Sequence, residues 1–397
     1  MTSGRVYPAE WYAYTDPATG ARVRQLTSHR GNSNHLYFTN YGWYHDDRRL
    51  LIGSDRDERT NLCSVDLDTG EITQLTDLAP QPLPYPNYLL RVAIHPQREV
   101  AYFGYGREIC GVDLNTGTLT PLWEIPEGWQ RNMVNVTADG RYVCVGIYEI
   151  PDLAAATDLS RRYGYGGSMY SGTGLPQRAT WEARPLSRIV RVPTEGGAAE
   201  VVWEEQTWIN HVNTSPTLPS VLTFCHEGPW HLVDHRIWVL DTATGQAWKV
   251  RERTVEGERV GHEYWHMDGV HIGYHGERPD GTKVFGRVRY DNEELIEAAF
   301  PFDTGHMHSN DFSMIVGDGG QEVRLWRWNG EAFEGPRALC VHRSSKRDQM
   351  FHVHPRFRSD GKQVVYTSDV PGYGQVFVAE VPAFEALPEI PEPGRRA

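Results

Sequence analysis

Asp66-Leu67-Asp68-Thr69-Gly70-Glu71-Ile72-Thr73-Gln74-Leu75-Thr76 is the stretch whose recurrence decides the fold. A short Gly-containing turn allows positive φ between an inner strand and a more polar outer one, so the text reads as a hairpin. It returns as Asp113-Leu-Asn-Thr-Gly117, Val192-Pro-Thr-Glu-Gly196 and Asp241-Thr-Ala-Thr-Gly245. A second turn type alternates with it: Tyr44-His-Asp-Asp-Arg before Leu50, Thr137-Ala-Asp-Gly140 before Tyr142, and Arg358-Ser-Asp-Gly361 before Val364. Together they mark about seven strand-turn-strand units at the roughly 40 to 50 residue period of propeller blades.

The two ends of the chain complete the pattern. Asp16-Pro-Ala-Thr-Gly20-Ala-Arg-Val-Arg is an outer-strand text that precedes any inner strand, whereas Val376-Phe-Val-Ala-Glu-Val381 has no outer strand after it. The sequence therefore predicts an all-β, seven-bladed β-propeller in which the N-terminal strand completes the last blade and closes the ring. One domain is expected over residues 1–383, interrupted at about 151–187 by an insertion carrying a short helix and a loop over one face. A disordered tail is expected over 384–397.

Composition agrees with this reading and excludes several functions. At 397 residues the chain exceeds a typical single core of ~150 residues, unless the architecture grows by repetition. Aromatic residues make up 11%, with 13 Trp and 20 Tyr, and 39 Gly and 25 Pro supply turn chemistry, which favours many short strands. The net charge of -13 argues against nucleic acid, since phosphate binding needs a basic face. No window approaches the ~18 apolar residues of a membrane span, and no signal-peptide core is present. The five cysteines are scattered without metal or CxxC spacing and read as reduced core residues. A soluble, cytoplasmic protein is expected, with no nucleic acid or membrane partner; its oligomeric state is not encoded in any feature above.

The chemistry concentrates near the C-terminus, in Gln349-Met-Phe-His352-Val-His354-Pro. Two histidines at i and i+2 on an extended segment point to one face and can share an ion. Gln349 is out of phase and joins them only if the backbone bends before His352. His306, in Gly305-His306-Met-His308-Ser-Asn310, is the candidate fourth ligand from the preceding repeat. Three imidazoles and an amide leave a divalent ion its full charge, which suits a reaction on a carboxylate; zinc, iron and nickel match such ligands as manganese does. Other polar clusters fall where loops cross a propeller face: His211-Val-Asn213, Phe224-Cys-His226-Glu-Gly-Pro with Arg236 downstream, and Gly261-His262-Glu-Tyr-Trp265. Bland readings stand beside these. His262 reads equally as a histidine packed beside Trp265, and Arg236 as an ion-pair partner of Asp234 or Glu227.

The ordered set His262-Glu-Tyr-Trp, Phe224-Cys-His-Glu-Gly-Pro, His306-Met-His-Ser-Asn, Val316-Gly-Asp-Gly319 and Gln349-Met-Phe-His-Val-His-Pro resembles the oligogalacturonate lyases, which are seven-bladed propellers. The likeness runs from about Asn34 to Pro382. It implies β-elimination on short galacturonate oligomers such as di- or trigalacturonate, assisted by a divalent ion, usually Mn2+. Carried over by position, the metal ligands are His306, Gln349, His352 and His354, the catalytic base is His262, and Arg236 is a substrate-side cation. His211, His226, Asn34 and Tyr37 are candidate substrate contacts. Two other readings remain at this point: a lyase of the same fold on a different uronate, and a non-catalytic propeller that binds protein partners through exposed aromatic residues.

Overall fold

A computed structural model describes residues 4–80, 89–151, 177–300 and 305–390. Seven antiparallel sheets follow one another along the chain, and each runs outward from a short strand near the centre. The innermost strands are Ser33–His35, Val92–Ile94, Trp129–Val136, Ile209–Thr214, Arg259–Trp265, Met307–His308 and Arg356–Phe357. This is the seven-bladed propeller that the turn texts predict.

Local chemistry explains why the repeats fold alike. In the outer turns the aspartate accepts hydrogen bonds from the backbone N–H groups two and three residues on. Asp66 Oδ1 takes Asp68 and Thr69, Asp113 Oδ1 takes Asn115 and Thr116, and Asp16 Oδ1 takes Ala18 and Thr19. The glycine four residues on donates back to the aspartate carbonyl and adopts positive φ, as at Gly70 (φ 80°) and Gly117 (φ 70°). The core between blades is aliphatic and aromatic, with Trp208, Trp326, Tyr102 and Phe285 fully buried.

The ring closes as expected. Arg22–Gln25 pairs antiparallel with Gln375–Glu380, placing Val23 opposite Ala379 and Gln25 opposite Phe377. Tyr12–Thr15 adds a further strand outside it. The N-terminal segment also reaches the first blade, where Val6–Tyr7 pairs with Ile72–Gln74 and Glu10 binds the buried Arg56 guanidinium at 2.6 Å. One segment thus ties the last blade to the first.

One expectation needs correction. Residues 384–390 are docked rather than a free tail, because Phe384 and Leu387 are buried against the sixth blade, the Arg337 guanidinium lies over the Phe384 ring, and Ala338 N–H donates to the Pro388 carbonyl. Residues 391–397 lie outside the described residues. In the 151–187 insertion, the described part is a helix at Gln177–Ala183, whose Gln177 Nε2 donates to Glu227 Oε1 at 3.1 Å. The Asp152–Ala156 segment and the loop expected after it lie outside the described residues.

Because Val23 is buried at the closing strand, Val23→Asp is expected to cost about 3 kcal/mol or more by burying an unpaired charge. Denaturant unfolding followed by tryptophan fluorescence checks it; a loss below about 1 kcal/mol would show that the closure is not a principal source of stability.

Candidate active site and metal centre

The site lies at the end of the channel where chains enter the innermost strands. Three backbone distortions aim side chains into it. His211, His262 and His354 all adopt left-handed conformations, with φ of 47°, 51° and 44°. In the fourth and fifth blades the pairing register slips at this point, between Asn210 and Asn213 and between Gly261 and Tyr264. Each slip is a bulge that turns one histidine out of the strand pattern, a device common beside active sites.

His306, His352 and His354 form one group, with a nitrogen from each within 4.8 Å of the others. The ring centroids of His306 and His354 are 4.3 Å apart, and those of His306 and His352 5.3 Å. The i, i+2 strand argument for His352 and His354 is not how they meet. Gln349–Phe351 is a 3-10 turn capped by Asp348, and the strand begins only at Arg356, after Pro355, which has no N–H to pair. The turn provides the bend that brings in Gln349, whose amide nitrogen lies 3.1 Å from His354 Nε2.

The donor set fits a divalent ion. Gln349 Oε1 is buried without a hydrogen-bond partner, and an amide is turned over without changing its shape, so its oxygen can replace the nitrogen facing His354. Burial, followed by the neighbouring His306, lowers the pKa of His352 to about 4 and that of His354 well below the usual range, so both rings offer lone pairs at neutral pH. His306 is oriented from behind: Asp318 Oδ2 lies 3.0 Å from its Nδ1, and Asp318 Oδ1 accepts its backbone N–H at 2.7 Å. That leaves Nε2 for the shared position. Burial alone would raise the Asp318 pKa, but the His306 ring and Lys346 outweigh it and hold the carboxyl well below its ordinary range.

His262 sits beside this group, its centroid 4.7 Å from His306. Its Nδ1 is 2.8 Å from His275 Nε2, and Trp230 meets it edge-on at 4.9 Å. Gly261 permits that approach, since a Cβ there would lie 2.5 Å from the Trp230 ring. Burial first, then the nearby His306 and His275 rings, lowers the His262 pKa well below the histidine range. Tyr37 spans the channel, 4.8 Å from His354 and 5.8 Å from His211.

The remaining candidates fare differently. Arg236 is not free: Nη1 donates to Glu227 at 3.0 Å and Nε to Glu263 at 3.2 Å, both carboxylates being buried. Glu227 is therefore the partner that the bland reading offered. His211, Cys225 and Glu227 also lie within 4.8 Å of one another, but Arg236 already neutralises Glu227 and burial holds Cys225 as a thiol. Asn34 is buried and donates to the His35 and Leu89 carbonyls, which makes it a brace between blades. His226 is turned away: it stacks on Trp238 at 4.7 Å and faces Glu205 at 3.2 Å.

Sequence reasoning missed Arg91. It is half-buried, its charge acts on Tyr37, His211 and Tyr148, and it has no ion pair or hydrogen bond among the described residues. Its position was the available signal, since Arg91 directly precedes an innermost strand as His306 does.

Comparison with known proteins shows the family to which the chain belongs. An oligogalacturonide lyase of Pectobacterium atrosepticum is 28% identical over 96% of this chain and 99% of its own length. An oligogalacturonate lyase of Dickeya dadantii is 26% identical over the same shares. The solved structure of an oligogalacturonate lyase in complex with manganese superposes with a TM-score of 0.83 at 24% identity, covering 96% of this chain and 99% of that one. The family model described as oligogalacturonate lyase matches residues 1–327, and the chain belongs to that family of lyases.

Proposed function

We propose that this lyase cleaves di- and trigalacturonate by β-elimination, with His262 as the Brønsted base and Mn2+ held by His306, Gln349, His352 and His354. The observation that carries the reading is the placement of an uncharged His262 against the three-imidazole group, 4.7 Å from His306. A divalent ion, when bound, supplies positive charge to the uronate carboxylate and so acidifies the neighbouring C–H.

The protein's own groups account for the proton. If Nδ1–H of His262 donates to His275 Nε2, the His262 Nε2 lone pair faces the channel. It takes the proton from C5, the electron pair closes the C4–C5 double bond, and the C4–O bond breaks with its electron pair going to the oxygen, which takes up a proton from water, to give a 4,5-unsaturated uronate and a sugar hydroxyl. Trp230 and Phe38, 4.9 and 5.8 Å from His262, limit water around the base. Arg91, rather than Arg236, is assigned to a substrate carboxylate, because Arg236 already bridges two carboxylates. Arg236 lies 5.2 Å from the Trp230 ring and thereby supports the wall beside His262. A cytoplasmic location fits the five free, buried cysteines; no described helix is long and apolar enough to cross a membrane.

Four outcomes are expected. His262→Ala lowers kcat by about 10²–10⁴ with metal content unchanged, whereas His352→Ala loses metal and activity together; normal turnover by His262→Ala would remove it as the base. Asp318→Asn weakens metal binding by about 10- to 100-fold in equilibrium dialysis, since the ring behind it loses its anionic partner. Arg91→Gln raises KM about tenfold while kcat changes little; an unchanged KM would place the carboxylate elsewhere.

A further inference from the structure

The channel has a second chamber. At the end opposite the imidazole group, where innermost strands turn back, a cavity of about 590 Å3 is lined by Trp43, Asn135, Asn213, Trp265, His266 and Arg356 among others. The floor between the two ends is Phe38. Its ring packs against His262, His306 and His354, and its carbonyl accepts a hydrogen bond from Arg356 Nη1 on the far side.

Four arginines are buried among the described residues: Arg56, Arg236, Arg251 and Arg356. Three of them bind carboxylates, Arg56 on Glu10, Arg236 on Glu227 and Glu263, and Arg251 on Glu258 and Glu297. Arg356 has no such partner among the described residues, and its Nε–H makes no hydrogen bond. A buried cation without a counter-charge is costly and is stable only where something completes it. Two further nitrogens of lining residues, Trp43 Nε1 and His266 Nδ1, are also buried without a partner. These three nitrogens are enclosed in the cavity wall, whereas Arg356 as a whole keeps 9% of its surface accessible and lines the cavity, so its guanidinium is the group an occupant meets.

The chemistry of the walls narrows that occupant. A single guanidinium matches one negative charge and the planar fork of a carboxylate better than the double charge of a phosphate. The Tyr41 ring lies 5.5 Å from the Arg356 guanidinium carbon and lines the same cavity with Trp43 and Trp265, offering flat apolar faces of the kind a sugar ring packs against. We propose that this chamber is a second ligand site, separate from the metal-facing one, that binds a monosaccharide carboxylate with its acid group on the Arg356 guanidinium and its ring against the aromatic wall of Tyr41, Trp43 and Trp265. The proposal does not depend on the identity of the catalysed reaction.

D-galacturonate, which has no glycosidic bond to break, serves as the probe. Crystals of the metal-loaded protein soaked in it are expected to show the sugar in this chamber with its carboxylate on Arg356. In solution, the tryptophan quenching it produces weakens about tenfold or more in Arg356→Gln, and also in Ala138→Trp, which narrows the mouth without touching the imidazole group. Neutral D-galactose is expected not to bind there. Water alone in the chamber of soaked crystals, equal binding of galactose, or unchanged quenching in both variants would each overturn the proposal.

Discussion

Everything in this molecule depends on three backbone pairs between its two ends, Val23 with Ala379, Arg24 with Val378 and Gln25 with Phe377. They hold a ring of sheets shut, and only a shut ring has a channel. His211, His262, His306 and His354 are contributed by the fourth, fifth, sixth and seventh blades or the loops leading into them, and Tyr37 by the segment after the first innermost strand. Gln349, His352 and His354 share one short segment, but His211, His262, His306 and Tyr37 each come from a different blade and meet that segment only in the closed ring. The precision of the site is therefore a property of the whole ring.

Within the ring, the proposed chemistry rests on keeping His262, His352 and His354 neutral while Asp318 is kept charged. Burial lowers the affinity of His262, His352 and His354 for protons, and each ring makes its neighbours' protonation harder still. Asp318 works in the other direction: burial opposes its charge, but the hydrogen bonds it receives from His306 and the nearby Lys346 ammonium keep it anionic. The result is a pocket of lone pairs with one carboxylate behind it, suited to a cation, in a protein whose net charge is -13. Arg91, which has no ion pair or hydrogen bond among the described residues, adds a positive charge near Tyr37 and His211, and in the proposed reaction it gives an anionic sugar a locally favourable field despite the overall sign.

The fold was legible because its signal is local. An aspartate whose side chain caps its own turn, followed by a glycine at positive φ, folds the same way wherever it stands, and Asp16, Asp66 and Asp113 do so. The ligand types were legible for a related reason, since His and Gln cluster in sequence at 349–354. Their geometry was not: Pro355 ends the possibility of a regular strand there, and a 3-10 turn with a left-handed His354 assembles them instead. Partnerships across blades were the least legible. Nothing adjacent in sequence marks Glu263 as the second anion on Arg236, or Glu205 and Trp238 as the surroundings that take His226 away from the channel. The docking of 384–390 was missed because two apolar residues in a Pro- and Glu-rich end give too weak a pattern to read.

The central claim is that a metal-dependent elimination, and not hydrolysis, takes place at the three-imidazole end of the channel. The direct measurement is the ultraviolet absorbance of the conjugated 4,5-unsaturated uronate during digestion of digalacturonate, before chelation, after it, and after manganese is restored. The account predicts that the band grows, stops growing on chelation and resumes with manganese. Cleavage without the band, or a band that grows equally in the chelated protein, would contradict it.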